Sequence, residues 1–498
     1  MLAKSFLDFI QSSAANVEKI SDRLRTALNV PTGMEEVVRK AIEGRRNIVI
    51  AGTAGSGKTH LLRTLGGETA GYKVIPDLAA LPQKEWPHVF SGSSPILVAG
   101  NEGAFIQGRV HGFDGYAEVV SLLHATQEGE KIVSDKGPVV IDVAAFDPAS
   151  SSVLRHMVSS NLISDVIRET RSPEDVAGWQ LLSDDTVIRR LERLVEVAST
   201  IGGGEGFTFR QLWKFVGDLY SGIPNEFWFE RLSGGSSLVS VRIRDVFSPT
   251  MFPLPHLGNR MWHGDMSYLR GKFIDSARPL LNFFTSKMQE SISGGGHALE
   301  VFEKFRLFAL FCLQDSPLDT HWNDAVDLWG RIRQQEVRPL VESVNNYLAY
   351  GLMRMGDELE LWCQHDAERR DKKPPTLMSF GRVPAKEFEI VRSRVFNNVR
   401  ESSNQLVGNR FHLRHAPSGS TMSITKDLVD ALSKPRSFKT DDREGVEYDW
   451  RVFRFVTEVA RSAATKDRLR VATFDFVKRS ARTHTWQVSG STVRKVAS

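Results

Sequence analysis

The stretch Gly52-Thr-Ala-Gly-Ser-Gly-Lys-Thr59 fits the Walker A pattern GxxxxGK[ST]. Each fixed residue type has a chemical reason. Gly52 and Gly57 allow backbone geometry that a side chain would obstruct. The amides of Thr53, Ala54, Gly55 and Ser56 can then turn inward toward phosphate oxygens. Lys58 supplies a mobile point charge for the β- and γ-phosphates, and the Thr59 hydroxyl is the residue type that ligates Mg²⁺ there. Lys58 to His60 open a helix whose positive end faces the anion. The chemistry predicted at residues 52–60 is binding of a nucleoside triphosphate with Mg²⁺. The rival reading, a purely structural glycine turn, does not account for the buried strand before it and the helix after it. The base is not set by the loop. A guanine-reading N/TKxD element is missing, because Thr425-Lys-Asp-Leu428 and Thr465-Lys-Asp-Arg468 carry the acid one place early. ATP is therefore favoured over GTP.

Hydrolysis also needs an acid on the metal side and a group that orients water. Three strand ends compete. Ile96-Leu-Val-Ala-Gly-Asn-Glu-Gly103 places Asn101 and Glu102 just past an apolar run, where a water-polarising pair would face the phosphates. Lys73-Val-Ile-Pro-Asp77 ends in Asp77, and Val139-Val-Ile-Asp142 in Asp142, both candidate metal-side acids. Asn101 and Glu102 rank first, Asp77 second and Asp142 third; the rival reading of each acid is a solvated loop carboxylate. Arg210 opens a helix after the glycines at 202–206 and has the reach to meet a γ-phosphate. Its rival reading is a surface arginine of that helix. Arg155 and Arg168 follow the last core strand and are the places to look for an arginine that serves a neighbouring subunit.

These residues need elements to carry them. Asn47–Ala51, Lys73–Pro76, Ile96–Ala99 and Val139–Val143 read as short strands, and helical spacing recurs between and after them. Strand and helix alternating from 47 to about 170 predict an open, mostly parallel sheet, whose strand ends form one crevice. Before it, Phe6, Phe9, Ile10, Val17, Ile20, Leu24 and Leu28 repeat at helical intervals, and Met34–Gly44 reads as a further helix. After it come helices over 186–200 and 299–313 and, within 207–222, helical spacing of Leu212, Phe215, Val216 and Leu219, with glycine breaks at 202–206 and 294–296. The charged segment Gln364–Lys373 reads as a hydrophilic linker, although Asp371-x-Lys373 is a fragment of a nuclease pattern. Beyond it FEIVRSRVF (388–396) and RFHLRH (410–415) read as strands. The expected organisation is N-terminal helices (1–45), a nucleotide-binding core (46–200), a helical lid (201–293), a helical domain (294–370) and a C-terminal α+β domain (371–498).

Composition sets outer bounds. The chain has 498 residues, 41% hydrophobic and 25% charged, which is ordinary globular usage. Its 64 basic and 60 acidic residues leave a net charge of +4, so a nucleic-acid surface must come from local clustering. Between Arg461 and Ser498 nine Lys/Arg stand against two Asp, interleaved with Phe474, Phe476 and Trp486. That pattern suits DNA phosphates and base stacking, while the alternation in Arg470–Val477 equally suits a half-buried strand. Two cysteines, Cys312 and Cys363, exclude a disulfide scaffold and CxxC metal sites. No HExxH spacing suggests zinc. Asp8 interrupts any signal-peptide core, and no apolar run is long enough to span a bilayer, so a cytoplasmic protein without a membrane partner is expected.

The series GTAGSGKTHLL, ILVAGNEG, GFTFRQLWKFVGDLYSG and Asn259-Arg-Met-Trp-His-Gly264 resembles the AAA-like P-loop ATPases of prokaryotic antiviral defence loci. The nearest type is the F subunit of phosphorothioation-dependent DNA restriction systems, and the likeness spans about residues 45–290. It implies an α/β P-loop NTPase core with a helical lid and a C-terminal α+β domain. It also implies a homo-oligomer, ATP and Mg²⁺ as cofactors, and action on DNA with partner defence proteins encoded nearby. On this resemblance Asn101 is a sensor-like polar residue beside Glu102, Asp77 the metal-side acid and Arg210 the lid arginine. The 18 residues between Lys58 and Asp77 depart from the family by being unusually few. Two other functions fit the same loop: a nucleotide-gated scaffold or sensor with little turnover that licenses an effector, and a small-molecule kinase.

Overall fold

Four apolar runs with no polar alternation demand a sheet covered on both faces, and such a sheet forms. A computed structural model of the chain describes residues 21–134, 136–150, 153–159, 173–201, 206–220, 227–247, 271–294, 298–320, 324–344, 385–398, 407–433, 468–475, 480–489 and 492–496, with Val452, Phe455 and Val459. The helical stripe over 3–20, the glycines 202–205, Arg168, the 259–264 segment, the 364–373 segment and Cys363 lie outside the described residues.

Strands β1 (Ile48–Ala51), β2 (Lys73–Ile75), β3 (Ile96–Gly100) and β4 (Val139–Asp142) are parallel, in the order β2-β3-β1-β4. Because successive strand residues face opposite sides, the runs of β1, β3 and β4 each serve two cores at once, while β2 gives one of them Ile75. Ile48 and Ile50 pack with Met34, Val38 and Ala41 of α2 (Met34–Glu43) and with Leu61 and Leu62 of α3 (Lys58–Thr64), α1 being Asp22–Ala27. Val49 and Ala51 pack on the other side with Phe105 of α4 (Glu102–Val110) and Tyr116, Val119 and Leu123 of α5 (Tyr116–Gln127). The four residues of β1 are at most 1% exposed. Full burial of each branched side chain is worth about 1.5–3 kcal/mol, so this central strand is firmly held.

A fifth strand was not legible in the sequence. FEIVRSRVF does not run as one strand. It divides into β5 (Phe388–Arg394) and the two-residue β6 (Phe396–Asn397), and β6 pairs antiparallel with β4 through Ile141↔Phe396 and Val140↔Asn397.

Beyond the sheet lies a helical layer: α6 (Val153–Ser159), α7 (Pro173–Gln180), α8 (Asp185–Ile201), α9 (Phe209–Tyr220), α10 (Leu238–Val246), α11 (Arg278–Gly294) and α12 (Ala298–Cys312). One core joins them, with Leu191, Leu194, Phe215, Phe284, Phe308 and Phe311 at its centre. Residues of α11 and of α12 share that core. Cys312 is fully buried there, and burial pushes its thiol well above the usual range.

The chain divides into two compact units, Met1–Trp322 with Ser393–Asn409, and Asn323–Arg392 with Arg410–Ser498. In the second, α13 (Asp324–Arg333) and α14 (Lys426–Ser433) share a core with a sheet in the order β5-β7-β8, where β7 is Val407–His415 and β8 is Thr421–Ile424. A separate antiparallel sheet runs β11-β10-β9, with β9 Arg468–Asp475, β10 Ser480–Ser489 and β11 Thr492–Val496. Among the described residues, no helix is long and apolar enough to cross a membrane.

Candidate functional site

The loop from Gly52 to Gly57 leaves the C-terminal end of the innermost strand and leads directly into α3. Its glycines are required by what surrounds them. A Cβ on Gly52 would stand 2.8 Å from Ser56 Oγ and 3.3 Å from the Ala144 amide nitrogen. Gly57, the N-cap of α3, has φ +96°, a left-handed conformation that other residues rarely adopt. The Gly52 amide donates to the Gly100 carbonyl at 3.2 Å, so the loop root stays in register with β3.

Lys58 curls back over this loop. Its ammonium donates to the carbonyls of Gly52 at 2.8 Å and Thr53 at 2.7 Å, and to Asn101 Oδ1 at 3.1 Å. These three acceptors use all three ammonium donors, and each is one that a phosphate oxygen can replace. Burial holds the Lys58 ammonium below its ordinary 10.5, the Asp77 carboxylate opposing and the Arg210 guanidinium adding to the shift. The Ser56 hydroxyl, 5% exposed, has no hydrogen-bond partner among the described residues. A buried unpaired hydroxyl costs about 1–3 kcal/mol, which a phosphate oxygen would relieve.

Asn101 occupies the N-cap of α4, where asparagine side chains ordinarily accept from the first turn. Here the side chain makes no such bond. It reaches across to Lys58 instead. Glu102, the next residue, accepts from Gln127 Nε2 at 3.1 Å. Asp77 follows β2, is exposed, and accepts from the Ala79 amide at 3.0 Å while its charge acts on Lys58. Asp142, 3% exposed, ends β4 opposite Ala51 and accepts from the Ala144 amide at 3.0 Å. The strand order thus puts Asp77, Asn101, the loop and Asp142 side by side along one edge of the sheet.

Arg210 arrives from α9. The sequence Thr208-Phe-Arg-Gln211 starts that helix with reciprocal caps: the Thr208 amide donates to Gln211 Oε1 at 2.7 Å and the Gln211 amide to Thr208 Oγ1 at 3.3 Å. This cap lays the helix end on the loop, with the Arg210 amide donating to the Gly55 carbonyl at 3.4 Å and Phe209 beside Gly57. Arg155, in contrast, is bound in its own unit by Asp185 at 2.9 Å and Glu192 at 3.5 Å.

Next to the loop lies a cavity of about 160 Å³. Gly55, Ser56, Lys58, Thr59 and His60 line it together with the apolar Leu28, Val30, Met34, Phe209 and Trp213 and the charged Glu35, Arg210 and Lys214. His60 Nε2 meets Asn29 Oδ1 at 2.9 Å, which joins α3 to the chain before Met34. The lining combines cationic and polar groups with apolar ones, as a nucleoside phosphate combines a charged and a largely apolar part. Sequence reasoning missed the apolar wall, because Leu28, Met34 and Trp213 sit at ordinary helical core spacing. It also missed Gln127 as the partner of Glu102.

The donor set suits Mg²⁺. That ion keeps water and phosphate oxygens around it and takes one or two protein oxygens, and Thr59 and Asp77 carry oxygens of that kind. Among the described residues, no three His, Cys, Asp or Glu side chains gather into a cation cage. Compared with known protein families, curated proteins and solved structures, the chain matches none of them.

Proposed function

We propose that the chain is a P-loop ATPase that binds ATP with Mg²⁺ at Gly52–Thr59 and hydrolyses it. The observation that carries this reading is the contact of Asn101 with Lys58 over a glycine loop that borders a half-apolar cavity. In this reading the base enters between Met34 and Trp213, and the phosphates run along the loop amides. Lys58 exchanges its carbonyl acceptors for β- and γ-phosphate oxygens, and the Ser56 hydroxyl gains its missing partner. Thr59 and Asp77 hold Mg²⁺, which neutralises developing charge on the phosphates. Asn101, released from Lys58, orients the attacking water. Arg210, seated on Gly55, reports the terminal phosphate to α9.

The resemblance to defence ATPases extends the proposal: a homo-oligomeric subunit of a prokaryotic antiviral complex, acting on DNA with partner proteins. The basic segment 461–498 is the proposed DNA contact. Calorimetry with ATP and Mg²⁺ tests the core of the reading. Wild type should bind and turn over ATP, and Lys58→Ala should do neither. A wild-type chain that takes up no adenine nucleotide ends the proposal.

A second reading, a nucleotide-gated scaffold with little turnover, draws support from one contact. Glu102 is engaged by Gln127, so the carboxylate best placed in sequence to act on water is already bonded. Equal turnover in wild type and Glu102→Ala, with ATP binding intact, would favour this reading over the hydrolase.

A further inference from the structure

Residues 393–409 belong to the first unit, while the chain on both sides of them belongs to the second. Where this segment meets the parallel sheet it is bonded far beyond what a covering strand needs. The Val395 carbonyl accepts from the Asp142 amide at 2.7 Å. Asn397 Oδ1 accepts from the Ile132 amide at 2.8 Å, and its Nδ2 donates to the Glu130 carbonyl at 3.0 Å. Asn398 accepts from the Ser134 amide at 2.7 Å and donates to the carbonyls of Lys136 at 3.1 Å and Pro138 at 2.9 Å. Arg46, just before β1, donates to the Asn398 carbonyl at 2.8 Å. Val395, Asn397 and Asn398 are at most 2% exposed.

The same series of contacts ends at the loop. Asp142, gripped by Val395, holds the Ala144 amide, and Gly52 lies against Ala144 and Val143 so closely that a Cβ would stand within 3.4 Å of each. Val143 also lines the cavity. Close-packed contacts such as Gly52 against Ala144 and Val143 transmit displacements of this kind.

We propose that the strap Val395–Asn398 couples nucleotide binding at residues 52–59 to the chain of the second unit: an occupied loop tightens the strap on β4, and a strap drawn away by its flanking chain weakens the nucleotide. The inference rests on the proposed ATP site. Coupling of this sort is reciprocal, so one factor governs both directions.

Hydrogen exchange of the full chain, with and without ATP and Mg²⁺, tests it. Exchange should slow at 52–59 and also at 130–138 and 393–398. Slowing at 52–59 with none at 393–398 overturns the coupling and leaves the ATP site standing. No slowing anywhere overturns both. A second measurement uses Asn398→Gly, which tolerates the φ of +61° at this position and deletes three side-chain bonds. The Kd for ATP with Mg²⁺ should rise about fivefold or more, and the extra protection that ATP gives 393–398 should shrink. A lowered Tm with an unchanged Kd would make the strap a structural staple and overturn the proposal.

Discussion

At the scale of single residues, the most informative side chain is one that declines its usual task. Asn101 sits where asparagine caps helices, yet its oxygen goes to Lys58. If it acts on water or the terminal phosphate, Asn101→Ala should bind ATP within a few-fold of wild type and lose about 100-fold or more in turnover, the cost typical of removing one preorganised polar group. Equal losses in binding and turnover would assign it to the ground state instead. Lys58 gives a pH prediction. Burial lowers its pKa below 10.5 in the free protein, while the unfolded chain keeps the ordinary value. Between the two, the unfolded chain binds the extra proton, so the charged lysine costs stability below this window and the cost is lifted as pH rises through it. A triphosphate needs the charged form. Affinity should therefore fall as pH rises through the lowered pKa, with proton uptake on binding in that range. Asp77→Asn removes the opposing charge and should move the fall to lower pH. An affinity flat up to pH 10.5 would contradict the assignment. The loop was legible in the sequence because its glycines, lysine and threonine have one shared use. The wall of Leu28, Val30 and Trp213 was not, since an apolar residue lining a cavity has the same spacing as one filling a core.

At the scale of elements, α9 is set down on the loop. Thr208 and Gln211 fix where that helix begins, and the helix start carries Phe209 and Arg210 onto Gly57 and Gly55. Thr208→Ala should cost about 1 kcal/mol of stability and weaken ATP binding severalfold through the misplaced helix end. Thr208→Ser keeps the acceptor and should behave as wild type. Tm and calorimetry together check this: a drop in Tm without any change in binding would separate the cap from the site. The helix itself was legible from Leu212, Phe215, Val216 and Leu219. The cap was not singled out, because Thr-x-x-Gln is short and gains meaning only when the loop it faces is known. The parallel strands were legible for a physical reason. β1 and β3, buried along their whole length, are apolar at every position, and Asn47–Ala51 differs from β1 by a single residue.

At the scale of the whole molecule, the parallel sheet and its flanking helices match the α/β core expected from alternating strands and helices. The connection that closes it was hidden. A two-residue strand leaves no pattern, and nothing in FEIVRSRVF says that its last residues serve a different sheet from its first. The basic C-terminal stretch, ambiguous in sequence, has strand backbone at Arg468–Asp475, paired with Ser480–Ser489.

The edge that β6 covers carries a consequence for how the chain is made. β4 emerges from the ribosome about 250 residues before its antiparallel neighbour, roughly 10–50 s earlier at usual elongation rates. For that interval Val140 and Ile141 offer unpaired amides and carbonyls along an apolar ribbon, the form of sheet edge on which other chains assemble. A polypeptide stopped after Trp322 would keep that edge permanently bare. It should sediment as aggregates, and a synthetic peptide of residues 393–409 added during refolding should restore monomers by strand addition. Monomers forming as readily without the peptide would show that β4 needs no neighbour at all.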